Sequence, residues 1–97
     1  MDGYIIIFWL PHKKKNVELS KFCQKFYGQN TSSHDGKYHY RRHGLLDDIS
    51  YRKLSRGVIL VNEDDLDSVL EFLEKYEAHI YTREVKLTEE DKTIMQK

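Results

Sequence analysis

The strongest constraint on the fold is a continuous run of apolar, β-branched and aromatic residues, Tyr-Ile-Ile-Ile-Phe-Trp-Leu, at positions 4–10. A run without polar alternation is typical of a β-strand that is covered on both faces or central in a sheet. Pro11 follows the run directly and ends the strand. Residues 58–61, Val-Ile-Leu-Val, repeat the pattern. The sequence therefore predicts a sheet with two apolar central strands and helices packed against it.

Two amphipathic segments supply the helices. The second runs over residues 66–73 and follows an acidic stretch that suits a helix N-terminus. The first ends at Gly28, which is placed to close a helix. Its apolar stripe has the helical spacing i, i+3, i+4, i+7 and contains Leu19, Phe22, Cys23 and Phe26. Cys23 is accordingly expected in the core.

The element order predicts an α+β fold. Strands are expected at 4–10, 37–43, 58–61 and 78–87, residues 29–36 form a polar loop, and a capping box at residues 88–91 opens a short C-terminal helical tail. This β-α-β-β-α-β order favours a ferredoxin-like split βαβ two-layer sandwich, a single domain over residues 1–97. Its first and third strands lie in the middle of the sheet, and its polar second and fourth strands lie at the edges.

The net charge is zero, but the charges are unevenly distributed. Residues 12–57 contain eleven lysines and arginines against four acids, a balance of +7, and residues 58–97 contain five against eleven, a balance of −6. This asymmetry indicates a polyanionic partner or two oppositely charged surfaces that pair. The single cysteine and the short N-terminal apolar run, with no cation before it, predict a cytoplasmic protein without a membrane span. One third charged residues and a single proline also suit a thermophile.

Residues 37–43, Lys-Tyr-His-Tyr-Arg-Arg-His, combine cations with aromatic rings. In a strand, Tyr38 and Tyr40 lie on one face, and His39 and Arg41 lie on the other. Cations beside flat rings suit phosphates and unstacked bases, so the segment predicts binding of RNA or another single strand. The predicted nucleic-acid-binding residues are Lys13, Lys14, Lys15, Lys37, Tyr38, Tyr40, Arg41, Arg42, Arg52, Lys53 and Arg56.

Residues 56–61, Arg-Gly-Val-Ile-Leu-Val, resemble the opening of the RNP1 motif of RNA-recognition domains, which share this element order. Where that motif carries stacking aromatic residues, this chain has Val58 and Leu60. In length and order the chain is also similar to the small CRISPR-associated Cas2 family, whose first strand ends in an aspartate linked to nuclease activity. Here that strand ends Leu-Pro-His, at residues 10–12. In its general sequence character the chain resembles small uncharacterised archaeal proteins of ferredoxin-like type. These resemblances imply the fold alone.

Histidines in the basic half suggest a second class of function. A histidine can act as general acid or base in phosphodiester cleavage because its ordinary pKa lies near neutrality, and a neighbouring arginine can stabilise the developing charge. The candidates are His34, Asp35, His39 and His43. On one strand, His39 and His43 would be more than about 10 Å apart, at about 3.3 Å per residue, which is too far to share a metal ion. Surface or interface histidines are the simpler interpretation.

Asp47 and Asp48 form the only acidic pair in the basic half. With His43 they can hold a divalent cation, or they can form a turn and pair with nearby arginines. The leading hypothesis is a nucleic-acid-binding protein that needs no cofactor and performs no catalysis. The alternatives are a protein-interaction module that assembles as a homodimer, and a histidine-dependent nuclease or other phosphodiesterase.

Overall fold

The computed structural model describes residues 2–11, 16–33 and 38–96, with the backbone alone at residues 16, 31–33 and 38–40. The chain divides into two compact units: a sheet unit of residues 1–13 and 49–97, and a hairpin unit of residues 14–48. In chain order the elements are β1 (Asp2–Trp9), α1 (Asn16–Tyr27), β2 (Gln29–Ser33), β3 (Tyr38–Arg42), a 3-10 helix (Leu45–Asp48), β4 (Tyr51–Ser55), β5 (Val58–Asn62), a second 3-10 helix (Glu63–Asp65), α2 (Leu66–Lys75), β6 (His79–Lys86) and α3 (Glu89–Met95). None of the helices in the described ranges has the length and hydrophobicity needed to cross a lipid bilayer.

The sheet unit is built on a four-stranded antiparallel sheet with the order β4-β5-β1-β6. Ile6 of β1 lies opposite Ile59 of β5 and Thr82 of β6. The two continuous apolar runs are therefore the central strands, as their lack of polar alternation predicts. The mixed-polarity strands lie at the edges, where one side of the backbone has no strand partner. With the three helices of the described residues, the protein is α+β and compatible with an α+β sandwich.

The prediction that residues 37–43 form the second strand of this sheet is wrong. Residues 38–42 form β3, which pairs with β2 in a separate two-stranded sheet, and the edge position is taken by β4. The reason is local, because β4 and β5 are joined by a tight turn in which Gly57 adopts a φ of +75° and accepts a 2.8 Å hydrogen bond from the Phe8 N–H. Residues 29–33 also form a strand rather than the predicted loop, and 34–36 lie outside the described residues.

One face of the main sheet is buried at its centre. Ile6, Ile59 and Val61 share this face because their positions alternate with those of the other, and all three are completely buried. Val69 and Leu73, the inner stripe of α2, are equally buried. Burial of such side chains stabilises each by about 1.5–3 kcal/mol relative to an exposed position, so this face is the main core of the unit.

The opposite face is covered over only half its length. Leu60 of β5 packs in a small core with Leu87 and Met95, which flank and end α3, and Ile5 and Val85 pack against the same core. The predicted capping box is confirmed, with Thr88 Oγ1 accepting from the Asp91 N–H and Asp91 Oδ2 accepting from the Thr88 N–H. Helix α3 therefore covers the half of this face at the start of β1.

The hairpin unit joins α1 to the β2–β3 hairpin. Phe22 and Phe26 are buried and stacked, whereas Cys23 is exposed, so the prediction of a core cysteine is wrong. Neighbouring helix positions are about 100° apart, and the two phenylalanines take the buried direction. As predicted, Gly28 ends α1, with a φ of +81° and its N–H donating to the Gln24 carbonyl at 2.9 Å.

Candidate nucleic-acid interface

The structure describes the predicted basic residues unevenly. Four of them lie outside the described residues: Lys13, Lys14, Lys15 and Lys37. The catalytic candidates His34 and Asp35 lie outside them as well. In β3 the backbone alone is described at Tyr38, His39 and Tyr40. Arg42, Lys53 and Arg56 are exposed. Arg41 and Arg52 are held by carboxylates, as described next. Of the predicted nucleic-acid-binding residues, the structure thus describes the side chains of five: Arg41, Arg42, Arg52, Lys53 and Arg56.

Arg41 is bound into the hairpin unit. Its Nε and Nη2 donate to the two carboxylate oxygens of Asp47 at 3.2 and 2.5 Å. Nη1 donates to Asn30 Oδ1 at 3.1 Å, and Nη2 also donates to the carbonyl oxygen of Tyr27 at 2.8 Å. These bonds engage at least four of the five N–H groups of a guanidinium and satisfy a carbonyl at the end of α1. The arginine joins helix α1, strand β2 and the 3-10 helix.

Asp47 and Asp48 serve neighbouring side chains and backbone. The hydrogen bonds from Arg41, and then the one from the Gly44 N–H, hold the pKa of Asp47 below its ordinary value of 3.8. His43 places Nε2 2.8 Å from Asp48 Oδ2 and Nδ1 3.8 Å from Asp47 Oδ2. Within the described residues no group of three or more acidic, histidine or cysteine ligands can hold a metal ion. Asp47 therefore pairs with an arginine, as in the turn-and-pairing alternative, and Asp48 contacts His43.

Arg52 lies on the partly covered face of the sheet. It stands opposite Leu60 in the β4–β5 register, and its Nη1 donates to Asp91 Oδ1 at 2.7 Å. Its Nη2 is 3.5 Å from Glu90 Oε1. The capping hydrogen bond from the Thr88 N–H, together with the bond from Arg52, lowers the pKa of Asp91 below 3.8. Arg52 is thus an anchor for α3 in this structure.

The open half of the same face carries an aromatic cluster that sequence reasoning missed. Trp9 of β1 lies opposite His79 of β6, with ring centroids 5.2 Å apart and planes 20° apart. Tyr81 is two residues further along β6, and its ring centroid is 5.6 Å from that of Trp9. The side chains of Trp9 and Tyr81 are 42% and 58% exposed. We call Trp9, His79 and Tyr81 the aromatic platform.

Apolar and cationic side chains surround the aromatic platform. Ile7 lies opposite Tyr81 and is 39% exposed. Arg83 alternates onto the same face two residues from Tyr81 and is exposed. No strand position that the register places on this face, namely residues 3, 5, 7, 9, 52, 55, 58, 60, 62, 79, 81, 83 and 85, carries a carboxylate. The face is therefore aromatic, apolar and cationic.

The sequence holds only a partial signal for this platform. Trp9 belongs to the apolar run that predicts burial on both faces, and His79 and Tyr81 belong to a strand of mixed polarity more than sixty positions away. The rings meet because β1 pairs with β6 from Asp2–Lys86 to Trp9–His79. Strand pairing of this kind depends on the tertiary fold, and the sequence contains no spacing that reveals it.

Comparison with family models, with curated proteins and with solved structures finds no match to this chain. The resemblances considered from the sequence therefore stay expectations. Any function has to be argued from the side chains themselves.

Proposed function

We propose that this protein binds single-stranded nucleic acid on the open half of its sheet, with the aromatic platform stacking bases and Arg83 contacting phosphate. The observation that carries the proposal is the exposed Trp9–Tyr81 pair on a sheet face whose strand positions carry no carboxylate. Every base has a π-face, so exposed rings bind single strands with little regard to sequence, and cations beside them follow the backbone. A duplex offers no unstacked base to such a surface.

The surface proposed differs from the basic strand that the sequence suggests. Arg41 is engaged by Asp47, Asn30 and the carbonyl of Tyr27, so it has little capacity left for phosphate. Arg42 and Arg56 are exposed and remain candidates for phosphate contacts outside the platform. The function proposed is the one that the composition favours. The choice of the aromatic platform as the binding surface is supported by the tertiary structure.

We also infer a ferredoxin-like fold and a cytoplasmic location. The fold inference is supported by the all-antiparallel sheet in which the first and third of its four strands are central, with a β-α-β crossover through α2. The location is supported by the single free cysteine, which is exposed and suits a reducing compartment.

Trp9 is the only tryptophan and therefore reports directly on the platform. The test is a titration of Trp9 fluorescence with single-stranded RNA, single-stranded DNA and duplex DNA of one sequence, at two salt concentrations. Single strands should change the emission strongly, duplex should do so weakly, and affinity should fall with salt. Unchanged emission with all three ligands at low salt contradicts the proposal.

Homodimerisation is the second candidate, favoured by the exposed Ile7 and Trp9, which alternate onto the same face of β1. Contiguous exposed apolar side chains mark protein interfaces as well as ligand sites. Light scattering on the free protein separates the two functions. A dimer that buries Trp9 and stays intact when oligonucleotide is added supports self-association, and a monomer that binds oligonucleotide supports the nucleic-acid interface.

A further inference from the structure

The acidic groups on this side of the sheet unit come from α3 rather than from the strands. Glu90 and Asp91 of α3 pair with Arg52, and Glu89 in the same turn points to Lys92 at 3.4 Å. Carboxylates paired with an arginine occupy the place that a phosphate takes in a nucleic-acid complex, because both present paired anionic oxygens. The helix therefore sets negative charge over one half of a face whose other half is cationic and aromatic.

The surface beneath α3 continues the open half. On this face Ile5 is the neighbour of Ile7 toward the start of β1, and Val85 is the neighbour of Arg83 toward the end of β6. Both lie against the small core that Leu60 forms with Leu87 and Met95. Removing α3 from this position uncovers an apolar strip that adjoins the aromatic platform along β1 and β6. It also exposes the guanidinium of Arg52, across the sheet on β4.

The attachment of α3 is local and modest. The helix has seven residues, which is too short to be stable in isolation, so its structure depends on docking to the sheet. Asp91 both caps the helix and docks it to the sheet, since one carboxylate oxygen accepts from the Thr88 N–H and the other from Arg52. The Arg52 contact therefore holds the same carboxylate that caps the helix.

We propose that α3 is a displaceable acidic cover over a second half of the nucleic-acid surface, with Arg52 as the phosphate-binding residue it masks. The inference rests on the proposed function. A short single strand fits the open half and leaves α3 docked. A longer strand exchanges the carboxylates of Glu90 and Asp91 for its own phosphates at Arg52 and displaces the helix.

The test compares single-stranded oligonucleotides of about 4 and about 16 nucleotides, the range of site sizes known for single-strand-binding domains. The double variant Glu90→Gln, Asp91→Asn removes the charges that hold Arg52. The matched control is Glu89→Gln, which neutralises one charge in the same turn at a side chain that is 92% exposed. The double variant should bind the long oligonucleotide at least about 5-fold more tightly than the unaltered protein, which is in the range of a typical coupling between sites. Its affinity for the short oligonucleotide should be unchanged.

Hydrogen exchange on the unaltered protein provides a second measurement that does not depend on how the variants fold. The long oligonucleotide should accelerate exchange of the α3 amides at residues 89–95, and the short one should not. Slower exchange of these amides with the long strand overturns the proposal that α3 is a displaceable cover. Equal gains in affinity for the long strand from the double variant and from Glu89→Gln overturn it as well. Equal binding of both oligonucleotides by Tyr81→Ala and unaltered protein overturns the proposed function instead, and absence of binding by every variant overturns both.

Discussion

Replacement of Tyr81 by alanine is the sharpest perturbation of the proposed interface. A base stacked on an aromatic side chain is worth about 1–3 kcal/mol by truncation, so the dissociation constant for a single strand should rise about 5- to 150-fold. The cost in folding is bounded by the structure: a tyrosine side chain of about 200 Å² that is 58% exposed buries about 80 Å², which contributes at most about 2 kcal/mol at about 25 cal/mol per Å².

The assay measures binding and folding separately. Fluorescence anisotropy of a labelled single strand gives the dissociation constant, and thermal unfolding followed by circular dichroism gives the stability of each variant. Val17→Ala is the control, because Val17 is an apolar side chain with 64% exposure in the hairpin unit. Trp9→Ala should act in the same direction, and the combined variant should fall short of the sum because the two rings are in contact.

A dissociation constant for Tyr81→Ala within twofold of the unaltered value, with unfolding still cooperative, would refute the stacking argument. Equal weakening by Tyr81→Ala and Val17→Ala would point instead to a general effect of removing exposed apolar surface. Both results are readable without knowledge of the natural ligand, since stacking tolerates any base.

Three further predictions concern the cation beside the platform and the anchor of the hairpin unit. Arg83→Gln should lower the slope of log affinity against log salt concentration by about 0.7 for a single strand. The control Lys86→Gln should leave the slope unchanged, because Lys86 is an exposed cation on the same strand but on the opposite face. Equal slopes for the two variants count against a phosphate contact at Arg83. Gly44→Ala should destabilise the hairpin unit by about 1–3 kcal/mol in denaturant unfolding, because a Cβ there overlaps the backbone nitrogen of Gly28 and lies 2.7 Å from the carbonyl carbon of Tyr27; unaltered stability contradicts this close approach. The pKa of Asp47 is held below 3.8, so its bonds to Arg41 stabilise the unit above that range and are lost as the pH falls through the lowered pKa. The Arg41 Nε–H resonance should therefore move toward the position of a free arginine as the pH falls below 3.8, and a resonance that is the same in Asp47→Asn at neutral pH refutes the pairing.

Local patterns in the sequence determine most of the elements. The apolar runs at 4–10 and 58–61 identify the two central strands, because apolar side chains at successive positions are typical of a strand inside a sheet. Ile7 and Trp9 of the first run are nevertheless exposed. The glycine at the end of α1 and the capping box at the start of α3 were also predicted correctly. These features depend on backbone conformation and on residues three or four positions apart, which the sequence shows directly.

Polar segments are where prediction from the sequence fails. Residues 29–33, Gln-Asn-Thr-Ser-Ser, have no apolar alternation and still form β2, because β3 follows closely enough to pair with them. The basic segment 37–43 was consequently placed in the main sheet, although Tyr51–Ser55 occupies that edge through its short turn to β5. Hydrophobic periodicity locates buried strands and is silent on which polar strands pair.

The sequence by itself determined the α+β class, the central strands and the charged character of the chain. Only the tertiary structure decided the use of the functional side chains. Arg41 has the chemistry of a phosphate ligand, but the fold brings Asp47 to its guanidinium. Trp9 has the pattern of a core residue, but the pairing of β1 with β6 places it beside His79 and Tyr81 on an uncovered face. Residue type sets what a side chain can bind, and contacts between distant segments, together with the surface left uncovered, set what it does bind.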